Sequence, residues 1–330
     1  MTTAIQADAL AKHFSPEIRA VDGIDLSIEE GRIFGYLGAN GSGKTTTVRI
    51  FTTLLRPSSG RAEVMGLDVV AKSQRVRQTV GVALQEAGLD DLQTGRELLG
   101  LQGRLFGLAG RKLSERVDYL LAVVDLEDAA DRRVGTYSGG MKRRLDLAAA
   151  LIHDPRTLFL DEPTTGLDPI SREAIWKYIT QLNREEGVTV FLTTQYLEEA
   201  DRLADQVAII DRGKIIAEGS PEELKAGIGT DVITAHIEGD DDELARAHEA
   251  LRGLGGADDV RLVNHSVVVY VRDGARQIAP IVLKLTESGL RVGEVTLSRP
   301  TLDDVFLRKT GHHIETDGRS PAEQSTEKAR

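Results

Sequence analysis

One glycine-rich stretch is the most informative part of this chain: Gly38-Ala39-Asn40-Gly41-Ser42-Gly43-Lys44-Thr45, followed by Thr46. Its spacing is that of a P-loop, in which glycines let backbone N–H groups curl around phosphate oxygens. In such a loop the lysine reaches the β- and γ-phosphates of a nucleotide, and the threonine hydroxyl binds Mg²⁺. A buried strand at Ile33–Leu37 precedes the loop and a helix over residues 44–55 follows it, so the positive end of that helix points at the anion. The sequence therefore predicts a site for nucleotide phosphates and Mg²⁺.

The segments around the P-loop predict an α/β architecture. Residues 1–31 alternate apolar and polar, which is typical of antiparallel strands with one solvent-exposed face. Apolar runs at residues 157–160 and 188–192 predict buried strands, and the leucine spacing over residues 92–125 predicts helices. Strands that alternate with helices form a parallel sheet, which binds ligands at its carboxyl edge.

A pair of carboxylates follows the strand over residues 157–160. Asp161 ends the strand and Glu162 comes next. A hydrophobic strand that delivers a carboxylate to Mg²⁺ is a Walker B arrangement, in which Glu162 is placed to orient or deprotonate an attacking water. An isolated Asp-Glu-Pro sequence is as often a simple turn. Beside a P-loop, however, the catalytic interpretation is favoured.

A second candidate phosphate loop reads Tyr137-Ser138-Gly139-Gly140-Met141. Ser-Gly-Gly by itself is an ordinary turn. Residues 142–152 predict a helix, which places Ser138-Gly139-Gly140 at a helix N-terminus that suits anions. Two phosphate loops in one chain are explained if the second serves a nucleotide that is bound to another subunit.

In their order and spacing, these motifs resemble the nucleotide-binding domain of ABC transporters over about residues 5–225. The resemblance implies a P-loop ATPase domain at residues 1–228, with a parallel core sheet, an antiparallel β subdomain and a helical subdomain at about residues 86–150. It also implies ATP and Mg²⁺ as cofactors, a homodimer that forms on ATP binding, and a separate integral-membrane permease that the ATPase energises.

The resemblance assigns roles to further residues. Gln85 matches the family's glutamine that contacts Mg²⁺ and lies beside the permease groove. The expected Mg²⁺ ligands are therefore Thr45, Gln85 and Asp161. Phe14 falls where the family stacks an aromatic ring on adenine, although a core phenylalanine is the alternative. The residues expected to bind ATP in trans, on the partner subunit, are Ser138, Gly139, Gly140 and Asp168. Three charged residues could face the permease groove or form a solvated helix face: Arg96, Glu97 and Arg104.

The sequence departs from the family at two motifs. Tyr137 and Met141 replace the outer residues of the commonest signature, Leu-Ser-Gly-Gly-Gln. Gln195 stands where most of the family has the switch histidine. Its amide can donate a hydrogen bond to the γ-phosphate but cannot become cationic at physiological pH. The predicted catalytic residues are therefore Glu162, as the base, and Gln195.

A narrower resemblance, at residues 136–144, 192–201 and 299–308, is to daunorubicin-resistance-type ATP-binding subunits, which energise bacterial drug, antibiotic or lipid exporters. The alternatives are an importer subunit and a non-transport ABC ATPase. A DNA-repair ATPase would carry a long coiled coil between the P-loop and Ser138, where fewer than about 100 residues lie here. A translation ATPase would carry two P-loops, and a nucleotide kinase would lack the loop at Ser138.

The sequence predicts a second, accessory α+β domain at residues 229–312. Its elements follow the order β-α-β-β-α-β, the split βαβ plan of small regulatory or interaction domains. The helices are predicted at residues 241–254 and 277–287. The domain could be a stabilising appendage or a dimerisation or regulatory module. Residues 313–330 are polar and are expected to form a disordered tail.

Composition limits the partners and the location. The chain has 330 residues, with 52 acidic against 41 basic side chains and a net charge of -11, which argues against broad nucleic-acid binding. It has no cysteine, so disulfides and thiolate chemistry are excluded. The sequence shows neither a signal-peptide pattern nor a run of about 18 apolar residues that could span a membrane. We therefore expect a cytoplasmic protein that is peripheral on the cytoplasmic face of the cell membrane only through its permease.

Overall fold

The computed structural model describes residues 2–85, 88–227, 231–263 and 266–311. These residues form two compact units, which divide between Glu218 and Gly219. The division lies upstream of the predicted boundary at residues 228 and 229, because a short helix at Pro221–Ala226 packs on a helix at Leu302–Thr310 of the second unit. The expected disordered tail at residues 313–330 lies outside the described residues.

The strands up to the division form two sheets. In chain order they are β1 (Thr3–His13), β2 (Arg19–Glu29), β3 (Ile33–Leu37), β4 (Ser59–Val64), β5 (Leu67–Asp68), β6 (Val80–Ala83), β7 (Thr157–Asp161), β8 (Thr189–Thr194), β9 (Gln206–Asp211) and β10 (Lys214–Gly219). One sheet has the order β10-β9-β3-β8-β7-β6, and its strands from β9 to β6 are parallel. The other has the order β2-β1-β4-β5 and is antiparallel, as residues 1–31 predicted.

Among the described residues before the division, seven α-helices connect these strands: α1 (Lys44–Phe51), α2 (Ser73–Thr79), α3 (Gly95–Leu105), α4 (Gly110–Val123), α5 (Gly139–Ala150), α6 (Pro169–Glu186) and α7 (Leu197–Leu203). Helix α1 is shorter than the predicted helix over residues 44–55. The predicted helical region over residues 92–125 is two helices, α3 and α4, which separate at Gly107 with a φ of 86°. Only glycine adopts such a left-handed conformation readily.

The parallel sheet is buried on both faces, which explains why its strands are continuous apolar runs. Successive residues alternate between two cores. Leu158, Leu160 and Val190 pack on the side of the helices α5 and α6. Phe159 and Phe191 pack on the other side with Phe51 of α1 and with the antiparallel sheet. This packing holds the carboxyl ends of β3, β7 and β8 rigidly beside one another.

The second unit contains a sheet of its own. Its elements are α8 (Pro221–Ala226), β11 (Asp231–Ile237), α9 (Asp241–Leu251), β12 (Ala257–Val263), β13 (Ser266–Val271), α10 (Gly274–Glu287), β14 (Val292–Ser298) and α11 (Leu302–Thr310). The strand order is β12-β13-β11-β14, and each pair is antiparallel. The order β-α-β-β-α-β matches the prediction, although α9 ends before residue 254 and α10 begins before residue 277. Leu244 of α9 and Leu285 of α10 pack on one face of the sheet.

Candidate functional site

The glycine-rich loop connects β3 to α1 at the carboxyl edge of the parallel sheet. Two of its glycines have no room for a side chain. A Cβ at Gly38 would lie 2.5 Å from the carbonyl oxygen of Ile210, and one at Gly43 would lie 2.1 Å from that of Ala20. Gly43 also has a φ of 111°. The loop therefore requires glycine for its own shape and leaves its backbone open to a ligand.

Lys44 begins α1 and is only 4% exposed. Its Nζ donates to the carbonyl oxygens of Gly38 at 2.8 Å and Ala39 at 3.0 Å, and it lies 3.3 Å from Oε1 of Glu162. Burial lowers the pKa of Lys44, while the carboxylates of Glu162 and Asp161 oppose this shift. A buried ammonium group at this position suits the β- and γ-phosphates of a nucleotide.

Asp161 ends β7 and accepts hydrogen bonds from hydroxyl groups on two other elements. Its Oδ1 accepts hydrogen bonds from Thr45 at 3.3 Å and from Thr193 at 2.6 Å. Its Oδ2 is buried and has no hydrogen-bond partner among the described residues. A hydroxyl and a carboxylate with a spare oxygen are ligands that Mg²⁺ prefers. Thr45 and Asp161 therefore fit the predicted metal site, and when bound there Mg²⁺ would neutralise phosphate charge.

Glu162 lies at the centre of the site. Lys44 contacts Oε1, and Oε2 accepts hydrogen bonds from Gln85 at 3.4 Å and from Thr165 at 3.3 Å. The structure thus brings the Walker B carboxylate, the P-loop lysine and Gln85 together although they are far apart in the sequence. A carboxylate in this position can orient a water or accept its proton.

An open cleft joins these groups. Most of the predicted P-loop residues line this cleft together with Gln85 and Glu162. The lining residues are Ala20, Asn40, Gly41, Gly43, Lys44, Thr45, Thr46, Gln85 and Glu162. The other predicted ATP-binding residues of the loop, Gly38, Ala39 and Ser42, do not line the cleft. Gly38 is tied to β8 because its N–H donates to the carbonyl oxygen of Thr194.

The residues predicted to act in trans lie outside this cleft. Ser138 caps α5, with its Oγ accepting from the N–H of Met141 at 3.2 Å. Asp168 caps α6, where it accepts from the backbone N–H groups of Ile170 and Ser171 and from the Ser171 hydroxyl. The Ser171 side-chain hydrogen bond is the largest cause that lowers the pKa of Asp168. Ser138, Gly139 and Asp168 are exposed, so they are accessible to a second molecule.

Comparison with known proteins gives the family of both units. Residues 21–165 match the ABC transporter family, and residues 219–310 match the C-terminal domain of DrrA1-3-like ATP-binding proteins. A daunorubicin resistance ATP-binding protein of Streptomyces coeruleorubidus is 46% identical over 94% of this chain and 96% of its own length. The chain belongs to the daunorubicin-resistance type of ABC transporter ATP-binding proteins. It is therefore an ATPase with the P-loop ABC fold.

Two other relatives support this assignment. A Nod factor export ATP-binding protein of Cupriavidus metallidurans is 40% identical over 95% of the chain and 99% of that protein. The solved ATP-binding cassette of a dimer bound to ADP and phosphate has a TM-score of 0.60 and 25% identity, and the match covers 66% of this chain and 98% of that structure.

Two other predicted residues of this ABC subunit are Phe14 and Gln195. Phe14 is 58% exposed, so the alternative that it is a core residue is wrong. Gln195 follows β8 and is buried, and its Oε1 has no hydrogen-bond partner in the described part of the chain. Gln195 does not line the cleft. Its role and the adenine role of Phe14 remain predictions.

The charged residues of α3 make local contacts or are exposed. Arg96 forms ion pairs with Asp118 and Asp131. Glu97 accepts from the N–H of Thr94 in the capping box of the helix, and Arg104 is exposed. Both interpretations of these residues, a permease groove and a solvated helix face, therefore remain predictions.

Sequence reasoning missed several residues of the site. Ala20 lines the cleft from β2, and Thr193 bonds Asp161. Arg143 of α5 donates to the carbonyl oxygens of Asp161 and Pro163. Thr193 could have been found, because parallel pairing of β7 and β8 places it opposite Asp161. Nothing local in the sequence indicated the contacts of Ala20 or Arg143.

Proposed function

We propose that two copies of this ABC subunit close head to tail around two ATP molecules and so drive an export permease. The observation that carries the proposal is the position of Ser138, Gly139 and Gly140. They form the N-terminus of α5 outside the cleft of their own subunit, where Ser138 and Gly139 are exposed and Gly140 is buried. Backbone N–H groups at a helix N-terminus bind phosphate, so the γ-phosphate of the partner's ATP is a suitable ligand.

Within each cleft the residues have different roles. The backbone of the P-loop and Lys44 hold the phosphates, while Thr45, Asp161 and Gln85 would hold Mg²⁺. Glu162, whose carboxylate lines the cleft beside Lys44 and Gln85, orients the attacking water and accepts its proton. Gln195 donates its amide hydrogen to the γ-phosphate and Phe14 stacks on adenine. Phosphoryl transfer needs little beyond such positioning and neutralisation of charge.

A groove next to the site is the proposed permease contact. It is a cavity of about 350 Å³ with an apolar lining that includes Leu54, Leu89, Leu98 and Phe106. Leu54 is 58% exposed and Phe106 is 42% exposed, and apolar side chains that are exposed together around one groove often mark an interaction site. The groove begins beside Leu84, the residue before Gln85, so it connects the permease to the catalytic cleft.

The cargo is proposed from the relatives alone. Their names refer to daunorubicin resistance and to Nod factor export, so we infer that the permease exports drugs, antibiotics or lipid-like molecules. No helix in the described ranges combines the length and apolar character that a bilayer crossing requires. In this proposal the subunit binds the cytoplasmic face of the cell membrane only through its permease.

Mixing two inactive variants tests the head-to-tail arrangement. Lys44→Ala disables the P-loop side of a site. Ser138→Asp disables the other side, because its charge repels phosphate while Asp still caps the helix. In a head-to-tail dimer that contains one of each, one of the two sites is fully wild type. We expect each variant alone to be inactive and the mixture to recover single-turnover ATP hydrolysis.

The control is Ser138→Asn, which caps α5 without a charge and should retain far more activity than Ser138→Asp. If both groups acted within one subunit, every site in the mixture would carry a defect. Failure of the mixture to recover hydrolysis, when cross-linking shows that mixed dimers are present, would contradict the proposal.

A further inference from the structure

Arg143 of α5 is buried, with only 7% of the residue exposed. Its guanidinium makes four hydrogen bonds. Nε donates to the carbonyl oxygen of Pro163 at 2.9 Å, and Nη2 donates to that of Asp161 at 3.1 Å. Nη1 donates to the carbonyl oxygen of Leu84 and to Oδ2 of Asp146 at 3.1 Å. Arg143 thus connects one helix to two separate loops of the site.

The three carbonyl groups flank the catalytic residues. Asp161 and Pro163 lie on either side of Glu162, and Leu84 directly precedes Gln85. Glu162 has a φ of 51°, a conformation that non-glycine residues rarely hold without support. Because a planar guanidinium is a rigid fork of donors, it fixes the relative positions of these backbone groups.

Asp146 is the charged partner of Arg143. It lies one turn along α5, its side chain is 14% exposed, and it lines the apolar groove described above. The same helix begins at Ser138. One rigid element therefore carries the proposed contact to the partner's phosphate, the arginine that touches the catalytic loops and a carboxylate in the groove.

We propose that Arg143 is a positioning residue for ATP hydrolysis. It fixes the positions of Glu162 and Gln85 relative to α5, the helix that Ser138 caps. Arg143 does not line the proposed nucleotide cleft. Loss of its hydrogen bonds should therefore slow the hydrolysis step and leave ATP affinity nearly unchanged, since the P-loop binds the phosphates independently. The link to the partner's nucleotide rests on the proposed head-to-tail dimer, but the effect on hydrolysis does not.

The test compares Arg143→Gln and Arg143→Lys with wild type. Lysine retains the charge but cannot reproduce four hydrogen bonds in one plane. We expect the single-turnover hydrolysis rate to fall on the order of 10- to 100-fold in both variants, the scale of a small misplacement of reacting groups. ATP affinity, measured with a fluorescent ATP analogue, should stay within about twofold.

Arg116→Gln is the matched control. Arg116 is also poorly exposed, and it donates to the carbonyl oxygen of Leu151 at 2.7 Å just beyond the end of α5, away from the cleft. We expect Arg116→Gln to keep the wild-type hydrolysis rate even where it lowers the melting temperature. The hydrolysis rate of Asp146→Asn should lie between the rates of wild type and Arg143→Gln, because an amide oxygen can still accept a hydrogen bond from Arg143.

The proposal is overturned if folded Arg143→Gln hydrolyses ATP at the wild-type rate. It is also overturned if ATP affinity falls as far as the rate, or if Arg116→Gln slows hydrolysis equally. Should Arg143→Gln fail to fold, Arg143→Lys alone decides between these outcomes. None of these results bears on the mixing experiment, so failure of the positioning role is distinguishable from failure of the dimer.

Discussion

Glu162 shows how a single residue is prepared for catalysis in this ABC subunit. Its left-handed backbone is held because its N–H donates to both the carbonyl and the hydroxyl oxygen of Thr193, each at 3.1 Å. The hydroxyl of Thr193 in turn donates to Asp161. Strain of this kind persists only where neighbouring groups hold it, and it is frequent at functional sites. The carboxylate is therefore placed by its backbone as well as by its side-chain contacts.

A first prediction at this scale ranks Glu162 above Gln195. Removal of a general base costs about 10²–10⁴-fold in rate. Loss of one hydrogen bond from the amide of Gln195 costs less, about 1–3 kcal/mol or roughly ten- to a hundredfold. We expect Glu162→Gln to reduce the single-turnover hydrolysis rate far more than Gln195→Ala does. Equal losses in the two variants would mean that positioning by the amide, and not base chemistry at Glu162, controls the reaction.

At the scale of elements, a buried carboxyl group joins three parts of the first unit. Oε1 of Glu199 on α7 accepts from Thr164, which follows the Walker B residues, and from the indole of Trp176 on α6, each at 2.8 Å. Burial raises the pKa of Glu199, although hydrogen bonds and Arg172 oppose the shift. The carboxyl group of Glu199 thus serves as a hydrogen-bonding centre for elements that surround the catalytic carboxylate.

This arrangement predicts how stability depends on pH. The pKa of Glu199 is higher in the folded protein than in the unfolded chain, where it is about 4.3. The stability that protonated Glu199 contributes is therefore fully present below the unfolded pKa, and it is lost as the pH rises through the folded pKa. Glutamine mimics the neutral acid at every pH. We expect the free energy of unfolding of Glu199→Gln, relative to wild type, to increase as the pH rises above the unfolded pKa of glutamate, about 4.3. Urea unfolding at several pH values measures it.

Glu199→Ala is the comparison for this experiment. It leaves the hydroxyl of Thr164 and the indole N–H of Trp176 without their acceptor. Each unpaired buried donor costs about 1–3 kcal/mol, so this variant should be less stable than wild type throughout the pH range. A difference between Glu199→Gln and wild type that does not change with pH would show that Glu199 has no raised pKa.

For the whole molecule, the proposed permease contact depends on an apolar groove that the fold leaves uncovered. We expect Leu54→Glu to reduce the fraction of the subunit that sediments with membranes containing the cognate permease. The control is Leu283→Glu on α10 of the second unit, where the leucine is 62% exposed and outside the groove. ATP affinity of the purified Leu54→Glu variant should be unchanged, because Leu54 does not line the nucleotide cleft. Equal membrane binding by Leu54→Glu and wild type would argue against this groove as the contact.

The sequence by itself determined the architecture and the chemical centre of the site. The P-loop and the Walker B pair are local motifs, because a helix N-terminus and the end of a strand each need only a few adjacent residues. The same holds for the accessory unit. Its strands and helices differ in hydrophobic period, so the sequence predicted their order correctly. The predicted end of α9 and the predicted start of α10 were each wrong by three residues.

Only the tertiary structure decided which distant residues support that centre. Thr193 reaches Asp161 because β8 pairs beside β7, and Arg143 reaches the carbonyl oxygens around Glu162 because α5 packs under the sheet. The exposure of Phe14 and the start of the second unit at Gly219 likewise depend on packing. Such contacts join residues that are far apart in the chain, and their side chains follow no local period. They are therefore set by strand order and packing geometry, which neither composition nor spacing encodes.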